Sequence, residues 1–297
     1  MILKYIVDEE SDKKTVKHIL KNKLEISERL IKKLKYNQKI LCNSHPVYIN
    51  TIVKVGDIVE AVIDFEENNE GIIPEKMDLD IIYEDEALIA VNKKPDTVVH
   101  PTAKHLTGTI ANGLMYYLKE KGINTLIRPV SRLDRDTSGI IVFACNQYVQ
   151  ENLIRQMNKK SFKKTYLGIV SGAITQEEGT INLPIARKPD SIMLRHISGD
   201  GSPSVTHFKI IERLNNATLL EFNLETGRTH QIRVHCQAIG HPLIGDTLYG
   251  GNIEHIAQRQ CLHSYKTSFT HPISGANVSL TAPIPDDFLD VLEILRK

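Results

Sequence analysis

Long apolar runs and closely spaced cysteines are both missing from this 297-residue sequence. No stretch comes near the ~20 apolar residues that a membrane helix needs, so no membrane association is expected. The opening MILKYIVDEESDKK lacks a basic start followed by an apolar core, so it is not read as a secretory signal. Cys42, Cys145, Cys236 and Cys261 are far apart and form no C-x-x-C pair. That argues against a disulfide framework or a zinc site, and for a reducing cytoplasm. Internal repeats and low-complexity tracts are absent too. Net charge is nearly absent, at +1, but it is unevenly spread: residues 1–50 hold eleven Lys and Arg against six Asp and Glu, about +5. A basic module on a near-neutral body suits a nucleic-acid ligand; a solvated lysine-rich helical face would give the same count.

The length suggests about two domains. In residues 15–24, Val16, Ile19, Leu20 and Leu24 have helical spacing. After Ser27, a plausible N-cap, Leu30, Ile31 and Leu34 repeat the pattern over 28–36. Lys17, Lys21, Arg29, Lys32, Lys33 and Lys35 fall largely on the other faces. Short β-like runs follow at Ile40–Cys42, Val47–Ile49 and Ile58–Ile63, with a Gly56-Asp57 turn before the last. Residues 66–78, rich in charge, Asn, Gly and Pro, read as a linker. Beyond it come a hairpin (81–83 and 88–91), a helix over 107–121, a helix over 147–160 and a strand from about Lys164. Two alternating runs, 205–214 and 217–225, meet at Asn215-Asn216, a strong hairpin signal. A helix from about Thr229 to Ile239, a strand pair at 262–270 and 277–282, and a helix over 286–295 complete the chain. Hairpins outnumber βαβ units, so the sheet is expected to be mixed and largely antiparallel.

The central stretch is Pro129 to Ala144, PVSRLDRDTSGIIVFA. A charged, turn-forming segment runs into an apolar β-branched run, Ile140 to Ala144, that reads as a buried strand. Arg132, Asp134, Arg135 and Asp136 therefore sit on a loop backed by a sheet, a common setting for function. A positioned, ionised carboxylate can be a nucleophile or a base. On composition alone, a solvated turn whose Asp and Ser cap local backbone groups is the favoured reading.

The wording R-L-D-x-x-T-S-G before an apolar strand resembles the active-site motif of the RluA-type pseudouridine synthases, which isomerise particular uridines in structured RNA. Two further segments are similar to family elements: Lys163-Lys164-Thr165-Tyr166-Leu167, matching K-x-Y, and Gly227 to Arg233, G-R-T-H-Q-I-R. DTVVHPT, with His100, resembles the family's early active-site loop. Residues 1–65 resemble the alpha-L RNA-binding module, most clearly in KVGDIVEAVI; Asn37-Gln38 and Asn43-Ser44-His45-Pro46 stand where that module has a glycine and an Asn-Gly turn. Ser131 stands where the family usually has His.

The resemblance implies an α+β pseudouridine synthase fold, with a central mixed, largely antiparallel sheet flanked by helices and loops, plus a small N-terminal alpha-L domain. It implies an alpha-L domain at 1–65, a linker at 66–78 and a catalytic domain at 79–297. It implies Asp134, Tyr166 and Arg233 as catalytic residues, with Arg233 pairing the carboxylate and Tyr166 lying against the target base. Arg132, Arg228, His100 and Lys164, with Lys17, Lys21, Arg29, Lys32 and Lys33 of the N-terminal module, are the expected RNA-binding set. No cofactor is expected, since the isomerisation needs no redox step or energy source. No metal is expected either: His230 and His235, five apart, miss the usual i,i+4 face. The expected partner is ribosomal RNA, most of all of the large subunit, with transfer RNA the alternative, and the expected state is a cytoplasmic monomer. A non-catalytic RNA-binding protein would be marked by a lost carboxylate or a broken arginine motif, and neither is seen. A metal-dependent hydrolase would need a ligand cluster that the sequence lacks.

Overall fold

The computed structural model describes residues 1–64, 71–103, 105–123, 125–250 and 256–297. In the N-terminal part, β1 (Ile2–Ile6), α1 (Val16–Asn22), α2 (Glu28–Tyr36), β2 (Ile40–Cys42), β3 (His45–Pro46) and β4 (Ile58–Val62) follow one another. The strands form an antiparallel sheet in the order β1-β4-β2-β3. Thr15 and Ser27 cap the two helices by accepting the backbone N–H groups of His18 and Leu30. Val16, Ile19, Leu20, Leu30, Ile31 and Leu34 are buried, as their spacing predicts. The glycines missing from this module are replaced in conformation: Gln38, Asn43 and Ser44 all adopt positive φ. Asn43-Ser44 thereby makes the two-residue hairpin between β2 and β3.

Two readings change here. The first residues, expected only not to be a signal, form β1, paired along its length with β4. The expected β-run at Val47–Ile49 is not a strand; Val47 and Ile49 instead rest partly buried on the core.

The remainder comprises β5 (Ile81–Glu84), β6 (Leu88–Lys93), α3 (Ile110–Glu120), β7 (Arg128–Pro129), β8 (Ser138–Ala144), α4 (Gln147–Asn158) and β9 (Lys163–Ser171). Then come β10 (Glu178–Asn182), β11 (Ile185–Arg187), β12 (Arg195–Ile197), β13 (Val205–Leu214), β14 (Ala217–Leu224), α5 (Gln231–Ala238), β15 (Leu262–Thr270), β16 (Asn277–Thr281) and α6 (Asp286–Arg296). A ten-stranded sheet runs β10-β13-β14-β9-β15-β8-β6-β5, with β16 on β15 and β7 on β8. It is mixed and largely antiparallel: β8 and β15 are the parallel pair among its ladders. β10, β11 and β12 were not anticipated; β11 and β12 form a separate ribbon.

The period of two explains how the sheet is covered. Ile140, Val142 and Ala144 of β8, with Leu88 and Ala90 of β6, pack with Tyr148, Val149 and Leu153 of α4. Ile141 and Phe143, with Ile89 and Val91, pack with Ile110, Ala111, Leu114 and Leu118 of α3. β8 is buried at every residue, so the loop before it is anchored on both faces of the sheet. Gly139 is required by the close approach of β15: it has positive φ, and a Cβ there would collide with the Ser264 carbonyl.

The core of α1 and α2 and the α4 side of the large sheet form one continuous apolar cluster. Arg155 of α4 reinforces the junction by donating to the Glu25 carboxylate at 2.6 Å and carbonyl at 2.7 Å. Residues 66–70 of the expected linker lie outside the described residues, but 71–78 are tied to α3. There the Glu75 carboxylate accepts the Gly108 N–H at 2.6 Å, and the Asn112 amide donates to the Ile73 carbonyl at 2.7 Å.

Candidate active site

Three segments distant in sequence meet in a cleft of about 540 Å³, lined by the loop 129–134, Phe162, Lys164 and Tyr166 of the β9 region, and residues 224–229. Asp134 opens on this cleft, its side chain 24% exposed. The sheet sets the loop's position: Thr137 N–H closes a turn onto the Asp134 carbonyl at 3.1 Å, and β8 begins at the next residue. Arg259 braces the loop from behind, donating to the Asp136 carbonyl at 2.9 Å while holding Asp287 of α6 at 2.6 and 2.9 Å. The ammonium of Lys93, fully buried, ties the loop to its neighbour by donating to the carbonyls of Arg135 (2.7 Å), Lys94 (2.9 Å) and Thr97 (3.0 Å). Burial pulls Lys93 down to about 7, against the attraction of Asp136.

Arg233 reaches Asp134 Oδ2 with Nη1 at 3.1 Å. Its other side is committed to Asp246, Nε to Oδ2 at 2.7 Å and Nη2 to Oδ1 at 2.9 Å. Burial works against the Arg233 charge, but hydrogen bonding and attraction from Asp246 and then Asp134 outweigh it and push the guanidinium pKa up. Asp246 had no signal of its own, because an Asp in I-G-D-T reads as a turn residue. Tyr249 was missed for the same reason; the Arg233 guanidinium carbon lies 5.2 Å from its ring centroid.

Helix α5 starts two residues later than expected. Gln231 folds its side chain back, accepting from Thr226 Oγ1 at 2.8 Å and Arg228 N–H at 3.0 Å, while His230 takes a left-handed conformation with φ 58°. That turn brings His230 Nε2 to 3.8 Å from Asp134 Oδ2 and Nδ1 to 2.9 Å from Tyr249 Oη. Burial lowers the His230 pKa, so the ring is neutral at pH 7. His235 points away into the core, its ring nitrogens bonded to Thr206 Oγ1 and the Leu183 carbonyl, each at 2.9 Å.

Tyr166 is buried on β9 between β14 and β15, and its ring lines the cleft beside Asp134. Burial raises its phenol pKa despite a hydrogen bond with Ser264, so the hydroxyl keeps its proton. Lys164 lines the same cleft, half-buried, and burial alone pulls its pKa down to about 8. Arg132 lies at the rim, with Nη2 3.4 Å from Thr229 Oγ1. Arg228 lines the far wall and donates Nε to the Pro203 carbonyl at 3.3 Å. Ser131 also lines the cleft.

Other expected residues are not brought to it. His100 is exposed, its Nδ1 3.3 Å from the Pro101 carbonyl, and does not line the cleft. Lys17 and Lys21 both bind Glu28, at 3.1 and 3.2 Å, while Arg29 and Lys32 are exposed and Lys33 is half-buried on α2. No helix among the described residues is long and apolar enough to cross a membrane.

The RNA pseudouridylate synthase family model matches residues 87–238, which contain all three motifs of the cleft. This chain belongs to the RNA pseudouridine synthases. Residues 3–59 of the synthase also match the RluD ribosomal pseudouridine synthase N-terminal domain. The synthase is 39% identical to the Bacillus subtilis protein named uncharacterized RNA pseudouridine synthase YjbO, over 91% of this chain and 95% of that protein. It is 38% identical to ribosomal large subunit pseudouridine synthase D of Neisseria meningitidis serogroup A, over 86% and 72%. Among solved structures, human RNA pseudouridylate synthase domain containing 1 shares 27% identity at a TM-score of 0.58, covering 69% of this chain and 83% of that one. Human RNA pseudouridylate synthase domain containing 4, at 20% identity and a TM-score of 0.61 over 73% and 92%, shares the fold. The synthase is thus an α+β isomerase acting on RNA.

Proposed function

We propose that this synthase isomerises particular uridines of large-subunit ribosomal RNA, with Asp134 as the carboxylate at the reacting nucleotide. The 3.1 Å contact between Asp134 and Arg233, beside a cleft large enough for a nucleotide, carries this reading. In the reaction the bond from ribose C1′ to uracil N1 breaks, the base turns, and C1′ bonds to C5. N1 takes up a proton and C5 loses one, so nothing is oxidised or reduced. An ionised oxygen is needed whether Asp134 attacks C1′, attacks the base, or helps form a glycal. Arg233 aims that oxygen and faces it with a permanent positive charge, since its fork cannot be deprotonated near neutrality. Tyr166 offers the flipped uracil a ring to replace its lost stacking, and Arg132 fills the gap left in the RNA.

Lys164 and Arg228 serve as phosphate contacts, and Arg29, Lys32 and Lys33 on α2 add affinity through an alpha-L domain at 1–65, with catalysis in 79–297. Lys17 and Lys21 would exchange Glu28 for phosphate. The ribosomal assignment is supported by the N-terminal match and by the name of the Neisseria relative; transfer RNA is the alternative. We take the enzyme to work as a monomer in the cytoplasm, in ribosome biogenesis.

The test is tritium release from transcripts labelled at uracil C5, beside filter binding. Asp134→Asn should bring turnover below detection and leave RNA binding intact, because phosphate contacts dominate affinity. Asp136→Asn, two residues on and paired with Arg135 at 3.3 Å, should stay active. Normal turnover by Asp134→Asn would end the assignment, and release from transfer RNA alone would move the substrate.

A further inference from the structure

We propose that a second, arginine-lined pocket beside the cleft binds a phosphodiester of the RNA strand next to the nucleotide being modified. The proposal rests on the reading that the cleft takes that nucleotide. The pocket, about 260 Å³, lies between the β11–β12 ribbon, the loop 200–202 and Arg228. It is smaller than the roughly 300–1,000 Å³ of sites that enclose whole small molecules. Arg187, Arg195 and Arg228 line it, against one carboxylate, Asp200.

All three guanidinium groups are anchored by neutral backbone carbonyls. Arg187 Nε donates to Ser191 at 2.9 Å, Arg195 Nη1 to Met193 and Leu194 at 3.1 and 3.0 Å, and Arg228 Nε to Pro203 at 3.3 Å. None of them forms an ion pair among the described residues. Each is thus oriented through one nitrogen while keeping further N–H donors and its full charge for an anion. Elsewhere in the molecule Arg155, Arg213, Arg259 and Arg296 are all satisfied by carboxylates.

The ribbon that carries two of these arginines is built firmly onto the catalytic helix. Ile185 is buried with Val234 of α5 and Tyr249, and Leu194 and Ile197 pack on them. The Arg195 N–H donates to Tyr249 Oη at 3.0 Å, the same oxygen that meets His230. Across the ribbon, Ile185 and Ser202 exchange backbone hydrogen bonds at 3.0 and 2.9 Å. Gly201 permits that approach: a Cβ there would meet the Ile185 carbonyl carbon at 2.6 Å. The pocket therefore has a fixed relation to Arg233 and Asp134. It is also continuous with the cleft, because Arg228 and Thr229 line both. A strand leaving the cleft over Arg228 meets the other two arginines next.

The test uses the full-length enzyme and a transcript that it modifies. Single-turnover tritium release is measured against RNA concentration at several salt concentrations. Arg187→Gln/Arg195→Gln should raise the half-saturating RNA concentration and leave the maximal rate within about twofold. It should flatten the salt dependence by roughly 0.7 per lost contact, as expected for release of single-strand counterions. Arg187→Lys/Arg195→Lys should restore most of that slope, and Arg213→Gln, paired with Glu177, should not change it. Phosphate-ethylation interference on the unmutated enzyme should reveal a sensitive phosphate beside the target uridine, its effect lost in the Gln variant. An unchanged slope in a folded Gln variant, or no sensitive phosphate beside the target, overturns the proposal. So does binding of inorganic phosphate in the pocket with no change in the RNA salt slope, which would assign it to a free phosphate ligand. Activity in Asp134→Asn would overturn only the catalytic assignment, because the slope is read independently of which carboxylate reacts.

Discussion

Asp246 holds Arg233 through both carboxylate oxygens, at 2.7 Å to Nε and 2.9 Å to Nη2. The Asp246 side chain is fully buried, and its Oδ1 also accepts the backbone N–H groups of Leu248 and Tyr249 at 3.1 and 3.2 Å. The carboxylate is thus held by the backbone as well as by the arginine, and a guanidinium paired to it through Nε and Nη2 leaves Nη1 for Asp134. The charge order along the line is minus, plus, minus, with the exposed end at the cleft.

Asp246→Asn removes a buried charge partner while keeping the side chain's size. Breaking one half of a buried pair costs up to about 3–5 kcal/mol, and here the remaining ion keeps only the single contact to Asp134. Arg233 would also lose its aim, and a misplacement of about 1 Å can cost about 100-fold in rate. Urea unfolding and single-turnover tritium release should both fall. An unchanged midpoint together with an unchanged rate would show that Asp246 does not position Arg233.

Tyr166 separates into a ring and a hydroxyl. Tyr166→Phe should keep the half-saturating RNA concentration, since the ring remains, and lose rate to the extent that the hydroxyl moves the C5 proton. Tyr166→Ala should also raise the half-saturating concentration by an amount worth about 1–3 kcal/mol of stacking. The raised phenol pKa keeps the hydroxyl protonated, so it moves the C5 proton only as a relay, releasing its own proton as it accepts that one. If both variants show normal rate and affinity, Tyr166 is part of the scaffold alone.

Lys164 gives the cleft a pH dependence of definite sign. Burial lowers its pKa from 10.5 to about 8, so its charge is lost as pH rises through about 8. RNA affinity should weaken between about pH 7 and 9, and Lys164→Arg, which stays charged, should flatten that part of the profile. Stability moves the other way. The folded state holds the proton less tightly than the unfolded chain, so the cost of burying the charge is fully present below about pH 8 and is relieved as pH approaches about 10.5. Matching affinity profiles for the two proteins would remove Lys164 from the RNA contacts.

Much of the architecture was legible because it is written in local pattern. The strand β8 stands out as a short apolar run, the β13–β14 hairpin as two alternating runs around Asn215-Asn216, α1 as an apolar stripe, and α2 as an apolar stripe behind the capping Ser27. β1 was passed over because its pairing partner, β4, lies more than fifty residues away. β11 and β12, three residues each, are too short to show a period, and their stability comes from Val234 and Tyr249 rather than from themselves.

By itself the sequence determined the composition of the site: one carboxylate ahead of a buried strand, a tyrosine opening another strand, and an arginine near a helix start. Those residue types follow from the motifs, and each motif needs only a few neighbours along the chain. Tertiary structure alone decided the geometry that makes them one site. It brought Asp134, 99 residues from Arg233 in sequence, to within 3.1 Å of it, and inserted Asp246 behind the arginine. It turned His230 into the left-handed conformation that points its ring at Asp134, and laid three arginines from two segments around one pocket. The reason is physical: propensity and periodicity act over a few residues, whereas charge pairing and desolvation act between whichever groups the packed sheet brings within a few ångströms.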